Sequence, residues 1–235
     1  MSSSENPDPN GFDLSFHVDR ENLIVSITRL SNVAIKSSIG DFESYEQDLF
    51  KDIRTGVTLD DAKDDPVFRS YRDLYWTFGM DPTKHRVSSE ALLRRVLREL
   101  NFWRVSNLVD VANLASAYHK IPIGLVDDSQ RKGNLVVRTA KKNEIFTRIG
   151  GDEITCRGRE IVLADQEKII CYGYATHDSD HTKVTAQTKD VLLILYGAPV
   201  ITHKVMNQAT NVTLDMITKW VECTVHQTRV YATVS

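Results

Sequence analysis

Residues 106 to 140, SNLVDVANLASAYHKIPIGLVDDSQRKGNLVVRTA, bring together the first group of side chains able to do polar chemistry. Asp110 and Asn113 lie three apart, so a helix sets a carboxylate and an amide on one face. A carboxylate can take a proton or grip a cation, whereas an amide positions a partner through hydrogen bonds. The same pair also has a purely structural reading, because Asp and Asn favour helix starts, where they bond the local backbone. A second polar stretch, GYATHDSDHTKVTAQT at 173–188, is long enough to shape the mouth of a pocket. In it His177 and His181 flank Asp178 and Asp180. That composition suits a metal, but the four lie in a loop rather than on a helix face, so no metal site is expected. There is no GxSxG elbow, P-loop or GxGxxG, and Gly150-Gly151 reads as a turn.

A third group is basic. Arg94, Arg95 and Arg98 project from one predicted helix, with Arg69, Arg72, Lys84, His85, Arg86 and Arg104 nearby in sequence. They make either a phosphate-binding surface or a solvated face paired with Glu90 and Glu99. The net charge of −3 gives no global case for nucleic acid, so any such contact needs a local patch. A 41% hydrophobic and 26% charged composition is that of an ordinary soluble globular protein.

The elements that carry these residues follow from periodicity. Ser106 or Asn107 caps a helix, with Asp110 placed to return a capping-box bond to Asn107. Leu108, Ala112 and Ala115 face inward on it, and Pro122 to Gly124 end it as a turn. A polar loop at Asp127, Asp128 and Ser129 leads to Gly133 and a strand from Leu135 through Arg138. Upstream, 1–11 reads as a frayed leader, 23–27 as a strand and 33–35 as a possible second one. Helices are expected over 42–55 and 58–78, the first ended by Gly56, the second capped by Thr58 and stopped by Gly79. Asp81-Pro82 makes a turn, and Ser88 or Ser89 caps a helix running to about Leu100. Hairpins follow at 144–156 and 161–172, then a buried central strand over 190–196, a helix from Lys204 to about Thr224, and a strand over 229–234. One domain over 12–235 fits best. Cys156, Cys171 and Cys223 are far apart with no CxxC spacing. Reduced thiols, no apolar membrane span and no signal-peptide core point to the cytoplasm.

Taken in order, several of these pieces resemble a known family. They are V-D-V-x-N at Val109 to Asn113, Pro122 to Gly124, Asp127, Gly133, and V-V-R at Val136 to Arg138. Gly150-Gly151, Val162 to Asp165, and Thr182, Thr185 and Thr188 before Val191 continue the pattern. Upstream, Asp81-Pro82, Arg86, Ser88, Glu90 to Leu93 and Arg94-Arg95 look like its freestanding branch. The family is the editing (B3/4) domain of the phenylalanyl-tRNA synthetase beta subunit, and the resemblance covers roughly residues 60 to 200.

The resemblance implies an α/β (α+β) layered sandwich of mixed sheets flanked by helices, with no metal and no cofactor. It implies a pocket that hydrolyses the ester of a mischarged aminoacyl-tRNA, with Asn113 and Asp110 as its catalytic pair. Ala112, Gly124, Asp127, Asp128, Asp178, Thr185 and Thr188 would line it, and either aspartate of the 127–128 pair could hold the substrate amino group or cap a turn. Arg86, Arg94, Arg95 and Arg98 would meet the tRNA, alongside a possible protein partner of the translation machinery. Such an ester is already activated, so orienting its carbonyl, a water and the ribose hydroxyl can suffice. The family has His where this chain has Gly124 and Thr where it has Ala112. Two other readings stay open: a non-catalytic RNA- or protein-binding module, and a pocket for a free amino acid.

Overall fold

A computed structural model describes residues 11, 13–37 and 40–233. The chain opens with strands β1 (Leu14–His17) and β2 (Ile24–Ser31), then turns into helices α1 (Gly40–Gly56), α2 (Leu59–Asp64), α3 (Pro66–Thr77), α4 (Ser88–Leu97) and α5 (Asn107–His119). Strands β3 (Ile123–Asp127), β4 (Leu135–Thr139), β5 (Lys142–Thr147), β6 (Glu153–Arg157), β7 (Ile161–Ala164), β8 (Ile169–Tyr172) and β9 (His177–Asp178) follow. A short 3-10 turn at Asp180–Thr182, β10 (Val191–Gly197), α6 (His203–Trp220) and β11 (Thr224–Ala232) complete it.

Two sheets do most of the organising. One has the order β11-β2-β10-β3, the other β1-β4-β7-β8-β9, and β5 and β6 form a separate hairpin. β10 is buried at all seven positions because it is central and both of its faces are covered. On one face lies α6, where Thr210 Oγ1 donates to Ser26 Oγ at 2.9 Å; Ser26 pairs with Leu195 of β10. On the other face the next residue of β10, Tyr196, meets Tyr174 edge-to-face at 5.2 Å between centroids. Helices, four-stranded sheet and five-stranded sheet are therefore stacked layers, as expected of an α+β sandwich. Helix α5 packs beside α6, and His119 Nε2 lies 2.9 Å from Thr213 Oγ1.

Several expected boundaries differ. The helix expected over 58–78 is two, because Pro66 has no N–H and biases Asp65 away from helical backbone. Asp65 stays extended, and its carboxylate caps α3 by accepting from Val67 N–H at 2.9 Å. The Thr58 cap holds and forms a capping box with Asp61. Neither Ser88 nor Ser89 caps α4, which starts after Val87 and stops at Leu97 instead of Leu100. Residues 33–35 form no strand; they run as a connector hydrogen-bonded to Lys189 and Glu222. Pro122 to Gly124 is not a turn. α5 ends at His119 with Lys120 left-handed, and Ile123 and Gly124 already pair with Leu195 and Ile194 of β10. α6 ends at Trp220, and β11 begins at Thr224, earlier than 229. The expected leader over 1–10 and the strand end at Val234 lie outside the described residues.

Candidate functional site

At the start of α5 the cap is Ser106, whose side chain accepts from Val109 N–H at 3.4 Å. Asn107 clips the helix to the connector after β2, accepting from Lys36 N–H at 2.9 Å and donating to Ala34 O at 3.0 Å. Asp110 is buried and reaches back to Val105 N–H at 3.0 Å instead of making a bond to Asn107. Arg104 approaches its other oxygen at 4.0 Å but commits its fork to the buried Glu46, at 2.9 and 2.6 Å. Burial pushes the carboxyls of both Asp110 and Glu46 up, against the lowering pull of Arg104. Asn113 is half-buried and its amide makes no hydrogen bond among the described residues. Ala112 is buried in the helix interface.

Gly124 carries the second part. It shares a face of the sheet with Tyr196, the face opposite α6, and a methyl group there would sit 3.0 Å from Tyr196 Cε2 and 3.2 Å from Asp178 Oδ1. The absent side chain is what lets the tyrosine ring and the aspartate close over this strand. Asp178 as a residue is half-buried, but its carboxyl turns inward, and burial raises it to about 6, against lowering by Leu125 N–H and the Cys171 thiol. Tyr196 Oη is buried, and the polar group beside it is the Cys171 thiol. Asp178, Cys171 and Tyr196 thus form a buried polar cluster in an apolar surrounding, with the thiol between carboxyl and phenol able to share a proton.

The remaining candidates are tied into the protein. Asp127 accepts from Thr188 Oγ1 at 2.5 Å and from Ser129 N–H and Oγ at 3.0 and 2.6 Å. Thr188 in turn accepts from Thr185 N–H at 2.9 Å, so these three residues pin the loop before β10 to the end of β3. Asp128 pairs with Arg131 at 2.7 Å and Arg29 at 3.4 Å. Arg94 and Arg72 each lie 2.8 Å from Oε1 of the buried Glu90, and Arg86 lies 3.7 Å from it. Arg95 donates to Asn101 O at 2.7 Å and stacks 3.8 Å over Trp103. Of the four predicted tRNA-facing arginines, Arg98 alone has a side chain with no hydrogen bond, ion pair or ring contact among the described residues, and it is exposed.

The site residues thus fall into neighbouring clusters instead of one constellation. His177 stacks on Tyr172, and among the described residues no three His, Cys, Asp or Glu side chains converge as metal ligands. Sequence reasoning missed Tyr196, Cys171, Glu46 and the pairing of Arg104. Tyr196 sits in an apolar run that announces only burial, and no spacing rule links Glu46 to an arginine far along the chain.

The fold is of the layered α+β class. The family model of the B3/4 domain matches residues 70–219, and the chain belongs to that family. Among curated relatives, the phenylalanine–tRNA ligase beta subunit of Fusobacterium nucleatum is 28% identical over 108 residues, 46% of this chain and 13% of the relative. That of Vibrio cholerae is 29% identical over 101 residues, 43% of this chain and 13% of the relative. The match therefore spans about one eighth of the length of these relatives. A solved N-terminal fragment of the phenylalanyl-tRNA synthetase beta subunit from Pyrococcus horikoshii aligns over 95% of this chain and 53% of that one, with 15% identity and a TM-score of 0.47. No helix among the described residues is long and apolar enough to cross a membrane.

Proposed function

We propose that this domain binds the aminoacylated end of a tRNA in trans and hydrolyses the ester of a mischarged amino acid. The observation that carries the reading is Asn113. In the first two turns of α5 it is the one polar side chain whose amide or carboxyl makes no bond to the described protein, and it is half-buried, where a substrate can reach it. An amide so placed orients an ester or a ribose hydroxyl without moving a proton. Asp178 is the second candidate group, since its Oδ1 lies 3.2 Å from where a methyl on Gly124 would sit, and Gly124 is a position the resemblance assigns to the pocket wall. Membership of the B3/4 family and the names of its relatives support tRNA as the carrier.

A second reading, binding without hydrolysis, is favoured by one feature: Tyr196 and Asp178 close over Gly124, where the family has His. A deacylation screen over correctly and incorrectly charged tRNAs separates the two, with Asn113→Ala alongside. Selective release of one amino acid, lost in the variant, establishes hydrolysis and names the substrate. No release despite tRNA binding replaces it with the binding reading, and full activity in the variant removes Asn113 from the site.

A further inference from the structure

A cleft of about 480 Å³ lies between the 76–85 segment and strands β6 to β8, and neither Asn113 nor Asp178 lines it. Its walls combine two chemistries. Trp76 at its edge is 59% exposed, a large indole with nothing over most of its surface. Tyr172 lines the cleft too, stacked on Phe146 at 5.5 Å and tilted against His85 at 5.8 Å, so the aromatic wall is backed by further rings. Lys84, Arg157 and Arg159 supply exposed cations, and the charged end of none of these side chains makes a hydrogen bond or an ion pair among the described residues. Arg159 lies across Gly79, whose bare Cα at φ +61° admits it: a methyl there would fall 2.6 Å from Arg159 Cδ.

Two carboxylates also line the cleft, and both are engaged. Asp81 accepts from Thr83 N–H and Oγ at 2.9 and 2.7 Å. Glu160 accepts the backbone N–H groups of Arg157, Gly158 and Arg159 at 3.0 to 3.1 Å. His85 Nδ1, in the same wall, is buried without a partner among the described residues, an unfilled hydrogen-bonding position. Free cations beside an exposed indole suit a phosphodiester-linked base: cations for the backbone, rings for stacking. The α4 arginines are the contrast, since Glu90 already occupies Arg94.

We propose that this cleft holds a nucleotide of single-stranded RNA, its base on Trp76 and its phosphates on Lys84, Arg157 and Arg159. The inference rests on the aminoacyl-tRNA reading only for the source of that strand. The test uses a fluorescent single-stranded RNA oligonucleotide, titrated against the protein at several salt concentrations, so it is independent of any deacylation. Trp76→Ala is expected to weaken binding about tenfold. Arg157→Gln with Arg159→Gln is expected to make the slope of log affinity against log salt shallower by about 1.4. Lys51→Gln with Lys204→Gln, which removes the same charge from exposed positions elsewhere, is expected to leave the slope unchanged. Equal slope changes in the two double variants, or an unaltered affinity in Trp76→Ala with an intact thermal transition, overturn the site. Displacement of the oligonucleotide by adenosine monophosphate or inorganic phosphate at the oligonucleotide's own dissociation constant overturns RNA as the ligand. RNA binding that follows these variants without any ester hydrolysis keeps the cleft and removes the deacylase.

Discussion

Replacing Asp178 with Asn should make the protein more stable at neutral pH and less so relative to wild type as the pH falls. The carboxyl has an ordinary value of 3.8 and is raised to about 6 by burial against Gly124 and Tyr196. A carboxyl raised on folding supports the fold fully below 3.8, and that support is lost as the pH rises to about 6. Above that, holding the ionised form in the interior costs about 3 kcal/mol, at 1.36 kcal/mol per tenfold change in proton affinity. Asn has the same shape, keeps an acceptor for Leu125 N–H and carries no charge. Urea denaturation of both proteins between pH 4 and 7.5 isolates the effect, because the difference between them cancels every other titrating group. The expected difference is about 0.5 kcal/mol at pH 4 and grows to about 3 kcal/mol in favour of Asp178→Asn by pH 7.5. A difference that does not change with pH refutes the placement of the charge. If Asp178 also acts on the substrate, the stabilised variant loses deacylation, the trade between stability and function found at working sites.

Five further outcomes follow from the geometry. Arg104→Ala leaves Glu46 buried without its fork and should cost about 3 kcal/mol by chemical denaturation, less at acid pH where Glu46 takes up a proton. Tyr196→Phe removes a buried hydroxyl whose polar neighbour is the Cys171 thiol, a weak partner, and should change stability by no more than about 1 kcal/mol, whereas Gly124→Ala should cost about 1–3 kcal/mol through the contacts with that ring. Arg94→Ala should lower stability more than it lowers RNA affinity, because its partner is Glu90; a loss of RNA binding at unchanged stability contradicts that. His119 is driven by burial down to about 3, so its imidazole NMR resonances should stay flat from pH 5 to 8.

Local signals carry far in this chain, and then stop at identifiable places. The hairpin strands β7 and β8 and the central β10 were legible because they are apolar runs bounded by polar turns. α5 was legible from its cap and inward stripe. The helix over 58–78 looked continuous since Tyr71, Leu74 and Phe78 keep one stripe, and periodicity does not register what Pro66 does to Asp65. Strand β3 was read as a turn because Pro122 and Gly124 are breakers in isolation. Gly124 is instead needed for the approach of Tyr196 and Asp178, which belong to distant segments. The site candidates were legible as residue types but not as partners. Nothing local says that Asp127 will be closed by Thr188, or that three arginines will converge on Glu90.

Strand β2 waits for the far end of the chain. Its partners are β10 and β11, and Leu23 N–H finds its acceptor at Thr233 Oγ1, 2.9 Å away. During synthesis IVSITRLS has no strand to pair with until residue 191 has emerged, on the order of ten seconds later at usual rates. For that interval it is an open apolar edge of the kind that recruits other chains. A ribosome stalled before Val191 would release a product with both edges of β2 bare.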